Sequence, residues 1–152
     1  MLSAAQLFFT CVGFGIAIWQ LVRTASLLEK VRSRLIENDL LVALPELHKL
    51  EDELDDSVKG GDPSVVERML VKYSRSSSRI SALLQIESTA AEEPLVLLLA
   101  QAGNSAQKAK AELAQGSDRE LAEVVKLAMG KVAKVSAEAS GLIARLEKRV
   151  SA

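Results

Sequence analysis

Residues 121–150 read LAEVVKLAMGKVAKVSAEASGLIARLEKRV, and this stretch decides the architecture. Its apolar positions, Leu121, Val125, Ala128, Val132, Val135, Ala139, Leu142 and Leu146, recur in alternating steps of four and three. A repeat of about 3.5 residues held over several heptads is the seam of a left-handed bundle or coiled coil. Working back from it, Leu95, Leu99, Ala102, Ala106, Ala109 and Leu113 mark a second helix of the same kind. Val66, Leu70, Tyr73, Ser77, Ile80 and Leu84 mark a third. The alanines on the two later seams allow close approach of the helices.

The punctuation agrees with those spans. Gly60-Gly61 ends one helix, and Asp62-Pro63 supplies an N-cap followed by proline at the first helical position. Ser88-Thr89 to Pro94 is the next break, where Thr89 and Glu92 have capping-box spacing. Gly116 closes the following helix, and Ser117 with Glu120 repeats the capping-box pattern. A shorter helix over residues 45–59 carries Leu47, Leu50, Leu54 and Val58.

At the other end, residues 2–22 read LSAAQLFFTCVGFGIAIWQLV, with no charged side chain before Arg23. As a helix this run is roughly 30 Å long, the thickness of a bilayer core. It lacks the basic start and small-residue cleavage site of a secretory signal. Its Leu, Ile, Phe and Val side chains favour insertion by roughly 3–6 kcal/mol in all. Gln6, Thr10, Gln20, Gly13 and Gly15 subtract from that, which places the run near the insertion threshold. The helix continues through Leu27, Leu28, Val31 and Leu35, and Asn38 or the Leu44-Pro45 step predicts its end or a kink. The resulting expectation is all-α: a four- to five-helix antiparallel bundle with a hydrophobic N-terminal helix. It is one domain over residues 1–152, with 1–36 the hydrophobic helix and its basic extension and 37–152 the amphipathic bundle helices.

Composition narrows the chemistry. Hydrophobic residues make up 49% of the 152 and aromatics only 3%, so the apolar mass is aliphatic and suits helix-on-helix packing. Lys and Arg number 19 against 20 Asp and Glu, without the basic excess of a nucleic-acid binder. A single cysteine, Cys11, permits no internal disulfide, and a single histidine, His48, no multi-histidine zinc site. No Ser/His/Asp arrangement, phosphate-binding loop or EF-hand carboxylate pattern appears. The expectation is a non-enzyme with neither metal nor cofactor.

Two surfaces remain as candidate sites. The membrane-inserting set is Leu2, Leu7, Phe8, Phe9, Val12, Gly13, Phe14, Gly15, Ile16, Ile18, Trp19, Leu21 and Val22. A helix apolar on every face must be buried in protein or in lipid. Trp19 and Arg23 suit an interfacial belt with a snorkelling cation. If the run spans, Arg23, Lys30, Arg32 and Arg34 hold the following end in the cytoplasm. The second surface is a row of cations, Arg68, Lys72, Arg75 and Arg79, at steps of four, three and four on one helix. Near an anionic surface each is worth about 1 kcal/mol, so the row, together with Arg23, Lys30, Arg32 and Arg34, is a candidate dock for lipid headgroups or a partner. The plainer reading is a solvated face, or one set opposite the acidic Glu46, Glu51, Asp52, Glu53, Asp55 and Asp56. His48 beside those acids reads as an unremarkable surface histidine, and Cys11 as a small hydrophobe.

An apolar, glycine-containing start, a basic junction from Arg23 to Arg34 and then an amphipathic bundle resemble the HeLo and HeLo-like cell-death domains. They are also similar to the helical bundles of mixed-lineage-kinase-like pseudokinases and plant coiled-coil resistance proteins, and bacterial counterparts of that superfamily are the nearest analogy. The resemblance implies a pore-forming cell-death effector in anti-phage or non-self defence. It would be latent as a soluble bundle in the cytoplasm and would permeabilise the cell membrane once residues 2–22 are released. It further implies membrane lipids as partners, homo-oligomerisation when active, and a separate sensor such as a nucleotide-binding receptor or a protease. The alternatives are a single-pass anchored coiled-coil scaffold and a soluble helical adaptor.

Overall fold

Steps of four and three place apolar side chains on one side of each helix, and burying those sides against each other builds the fold. The computed structural model describes residues 4–87, 92–116 and 118–151, with side chains from residue 12 onward. Four helices follow in order: α1 (Ala4–Gly60), α2 (Pro63–Glu87), α3 (Glu93–Ala114) and α4 (Leu121–Val150). No strand occurs among the described residues. The chain divides into two units, Met1–Ile36 and Glu37–Ala152.

The second unit is an antiparallel bundle. Helix α2 packs on α3, and α3 on α4. Polar contacts join α1 to α4: Glu37 pairs with Arg149 at 3.6 Å, while His48 and Glu51 reach Ser136. Rising numbers on α1 meet falling numbers on α4, so the two run antiparallel. The seam read on α2, from Val66 through Leu70, Tyr73, Ser77 and Ile80 to Leu84, is buried throughout. On α3, Leu95, Leu99, Ala102, Ala106 and Ala109 are buried, and on α4 so are Val125, Val132, Val135, Ala139, Leu142 and Leu146. Small residues bring α3 close to α2. A Cβ on Gly103 would sit 2.9 Å from Ser77 Oγ, so only glycine fits there without movement.

The helix count differs from expectation at Pro45. Helix α1 passes through Asn38 and Pro45 without ending, which fuses the predicted first and second helices. Proline removes one i→i−4 hydrogen bond. Burial offsets that loss: Leu40, Ala43, Leu44 and Leu47 lie on one face, while Pro45 itself is exposed. Packing on both sides of the proline keeps the helical phase.

The caps divide. Gly61 closes α1 with φ +73°, and Gly116 follows α3 with φ +69°, a left-handed conformation that favours glycine. Asp62 caps α2 as read: its Oδ1 accepts the Ser64 N–H at 2.9 Å and the Ser64 hydroxyl at 2.8 Å. These bonds hold the Asp62 carboxyl below its ordinary pKa. Glu92 is itself the N-cap of α3 and Glu120 that of α4, without side-chain cap bonds. Each helix therefore starts later than the Thr89 or Ser117 spacing implied. Ser88, Thr89 and Ser117 lie outside the described residues.

Candidate membrane-facing and cationic surfaces

The membrane-inserting set begins outside the described side chains: Leu2, Leu7, Phe8 and Phe9 fall there, as does Cys11. From Val12 onward the set is described, and every side chain from Val12 to Arg32 is exposed. Phe14 stands 68% exposed and Leu21 70%, in a helix with no charge before Arg23. Gly13 and Gly15 face open space. The Arg23 guanidinium lies over the Trp19 ring, 5.3 Å from its centroid. A cation stacked on an aromatic face at the end of an apolar run is the arrangement expected of an interfacial belt. Ser26 Oγ donates to the Arg23 carbonyl at 2.8 Å, so the turn just past the run is also tied back on itself.

The expected hydrophobic N-terminal helix needs qualification. Among the described residues, no helix is long and apolar enough to cross a membrane. This holds of the run only from Val12 onward, since the side chains before it lie outside the described residues.

On α2, Arg68, Lys72, Arg75 and Arg79 are all exposed. Among the described residues none of the four makes an ion pair. Lys110 from α3 joins Arg68, Lys72 and Arg75 around a shallow groove of about 340 Å³, with Glu67 its one acid. Neighbouring turns of a helix place such cations within a few ångströms of each other, which raises the local potential for an anion.

The acids of α1 do not answer this row. Lys49 pairs with Glu53 at 3.8 Å and Lys59 with Asp55 at 2.5 Å, both within one helix. The Asp55 carboxylate, by bonding the Lys59 ammonium, raises the pKa of that lysine.

His48 is not the surface histidine expected. It is half-buried between α1 and α4, with Nε2 3.1 Å from the Ser136 carbonyl oxygen and 3.3 Å from Ser140 Oγ. A carbonyl only accepts, so Nε2 carries the hydrogen and cannot take a proton from Ser140. One turn along, the Ser136 hydroxyl donates to Glu51 Oε2. Burial pushes the Glu51 carboxyl above its ordinary pKa. Tyr73 of α2 faces the same region: its phenol is pushed well up by burial, then by the Glu51 charge, and its hydroxyl has no hydrogen-bond partner among the described residues. Sequence reading missed this cluster. Its only trace is spacing, with His48 and Glu51 three apart on one helix and Ser136 and Ser140 four apart on another.

A polar groove of about 340 Å³ between α2 and α3 includes Ser78, Ser81, Gln85 and Asn104. Its floor is bonded within itself: Gln107 Nε2 donates to Ser74 Oγ at 3.0 Å, and Ser77 Oγ to the Ser74 carbonyl at 3.0 Å. Among the described residues, no group of three or more His, Cys, Asp or Glu could hold a metal ion. No known protein family, curated protein or solved structure matches the chain.

Proposed function

We propose that this chain works at a membrane, with the uncharged run over residues 2–22 entering the bilayer and the Glu37–Ala152 bundle left in water as an interaction scaffold. The observation that carries this reading is the exposure of Phe14, Ile16, Ile18, Leu21 and Val22 in a segment free of charge up to Arg23. Exposed apolar side chains on every face of a helix find their lowest free energy in lipid or against protein. Within the second unit Leu44, Leu54, Val66, Leu70, Ile80 and Leu84 are already fully buried, so the bundle core is filled from its own residues. A scaffold held at the membrane therefore fits better than a bundle that stores the run in its core.

A permeabilising cell-death effector is the second reading. The exposed row Arg68, Lys72, Arg75 and Arg79 favours it, because a tethered spacer has no need of a further cationic surface. In that version the row docks on anionic headgroups, oligomers assemble, and a separate sensor protein supplies the trigger.

Flotation of the intact chain with anionic lipid vesicles tests the membrane step. The wild type should float and Phe14→Asp should remain at the bottom with unchanged helicity. A wild type that stays in the dense fraction overturns the proposal. Dye release from the same vesicles separates the two versions: a scaffold floats without leakage. An effector releases dye and loses that activity when the four cations of α2 become Gln.

A further inference from the structure

Among the exposed apolar side chains of α1, one set repeats every seven residues and continues past Arg23. Phe14, Leu21, Leu28 and Leu35 are spaced by seven and are 68, 70, 65 and 60% exposed. The spacing continues in the sequence to Val42, 63% exposed. Ala17, Thr24 and Val31 fall three residues after each of the first three and complete the stripe. Beyond Arg23 the stripe lies among Glu29, Lys30, Arg32 and Arg34, where lipid is not its natural cover.

We infer that this stripe is a self-association seam: two copies of the chain pair in parallel and in register along it, Leu21, Leu28 and Leu35 meeting their counterparts. The period argues for a helix as occupant. A straight α-helix drifts by about 20° per heptad from a strict seven-residue repeat, so such a stripe stays in contact only with a helix that supercoils around it. A flat lipid surface or a rigid groove does not follow it. Charge argues for a second copy in parallel. With Leu21, Leu28 and Leu35 at the first core position of each heptad, Arg34 takes the last flanking position of one heptad and Asp39 the first flanking position after the next core pair. In a parallel pair those two positions face each other across the seam, so Arg34 of each copy meets Asp39 of the other. Ala17 and Thr24, the smaller residues after Phe14 and Leu21, let the helices approach closely there, and Val31 adds an apolar contact after Leu28. The seam goes beyond the membrane reading and does not depend on it.

Cysteine cross-linking of the full-length chain tests the seam, in detergent micelles and with Cys11→Ser as background. Leu28→Cys and Leu35→Cys should each give a disulfide-linked dimer under mild oxidation. Ser26→Cys, on the opposite side of the helix, should remain monomeric. Arg34→Asp should shift the unmodified protein from twice the monomer mass to the monomer mass in light scattering, and adding Asp39→Arg should restore it. Equal cross-linking at Ser26 and Leu28 overturns the seam, as does a wild type of monomer mass or a charge swap that fails to restore the dimer. Flotation of the same samples keeps the two proposals apart. A monomer that floats removes the pairing alone, and a dimer that does not float removes the membrane step alone.

Discussion

Replacing Tyr73 by Phe removes one oxygen atom from the middle of the bundle. The side chain is 1% exposed, and its hydroxyl has no partner among the described residues. A polar group buried without a hydrogen bond costs about 1–3 kcal/mol of stability. The ring keeps its packing in the variant and no bond is broken. Tyr73→Phe is therefore expected to stabilise the bundle by about 1–3 kcal/mol. For a domain of this size, each kcal/mol raises Tm by roughly 2–8 °C. Urea unfolding followed by far-UV circular dichroism at neutral pH is the assay, and the dependence on urea should keep its slope, since the exposed surface barely changes. A variant less stable than wild type by more than about 0.5 kcal/mol refutes the reasoning, because it means the phenol is bonded in solution.

Three further outcomes follow. Gly103→Ala should destabilise by about 1–2 kcal/mol despite the better helix propensity of alanine, because its Cβ meets Ser77 Oγ; adding Ser77→Ala should recover much of the loss in thermal melts. The folded-state pKa of Glu51 is raised above 4.5 by burial, so its contribution to stability is full below that value and is lost as pH rises through the folded pKa. Glu51→Gln should therefore show a flatter decline of Tm from acid to neutral pH, and an unchanged slope would place that decline elsewhere. Asp62 has a depressed pKa, so its capping contribution is present at neutral pH and is lost as pH falls below 3.8 through the folded value. Asp62→Ala should lower Tm at neutral pH and match wild type in strong acid.

The bundle was legible where side chains repeat. Every position read on α2, from Val66 to Leu84, is buried, because a seam at steps of four and three has one geometric solution when helices pack. Pro45 was misread because local propensity marks a break, while Leu44 and Leu47 beside it are held by partners distant in sequence. The starts of α3 and α4 were misplaced for a similar reason: the Glu92 and Glu120 positions were read as lying inside the first turn, but each is the N-cap and the helices begin at Glu93 and Leu121. Of the candidate surfaces, the cations of α2 stand exposed as their spacing implied, and Trp19 and Arg23 do stack. The contacts of His48 with Ser136 and Ser140 were out of reach, since they depend on the height at which α1 meets α4.

That height has a consequence for how many structures this chain can adopt. The apolar ladder of α4 repeats, Val125, Val132, Ala139 and Leu146 following each other at sevens, so sliding the helix by one heptad replaces most apolar contacts with similar ones. The side-chain contact of Ser136 with Glu51 does not repeat. Such a slide would bring Glu51 from Ser136 to Met129 or Ile143, leaving a half-buried carboxyl against a thioether or a hydrocarbon. The bond of the Ser136 hydroxyl to Glu51 thus acts as a key in an otherwise uniform thread, favouring one alignment of the two helices.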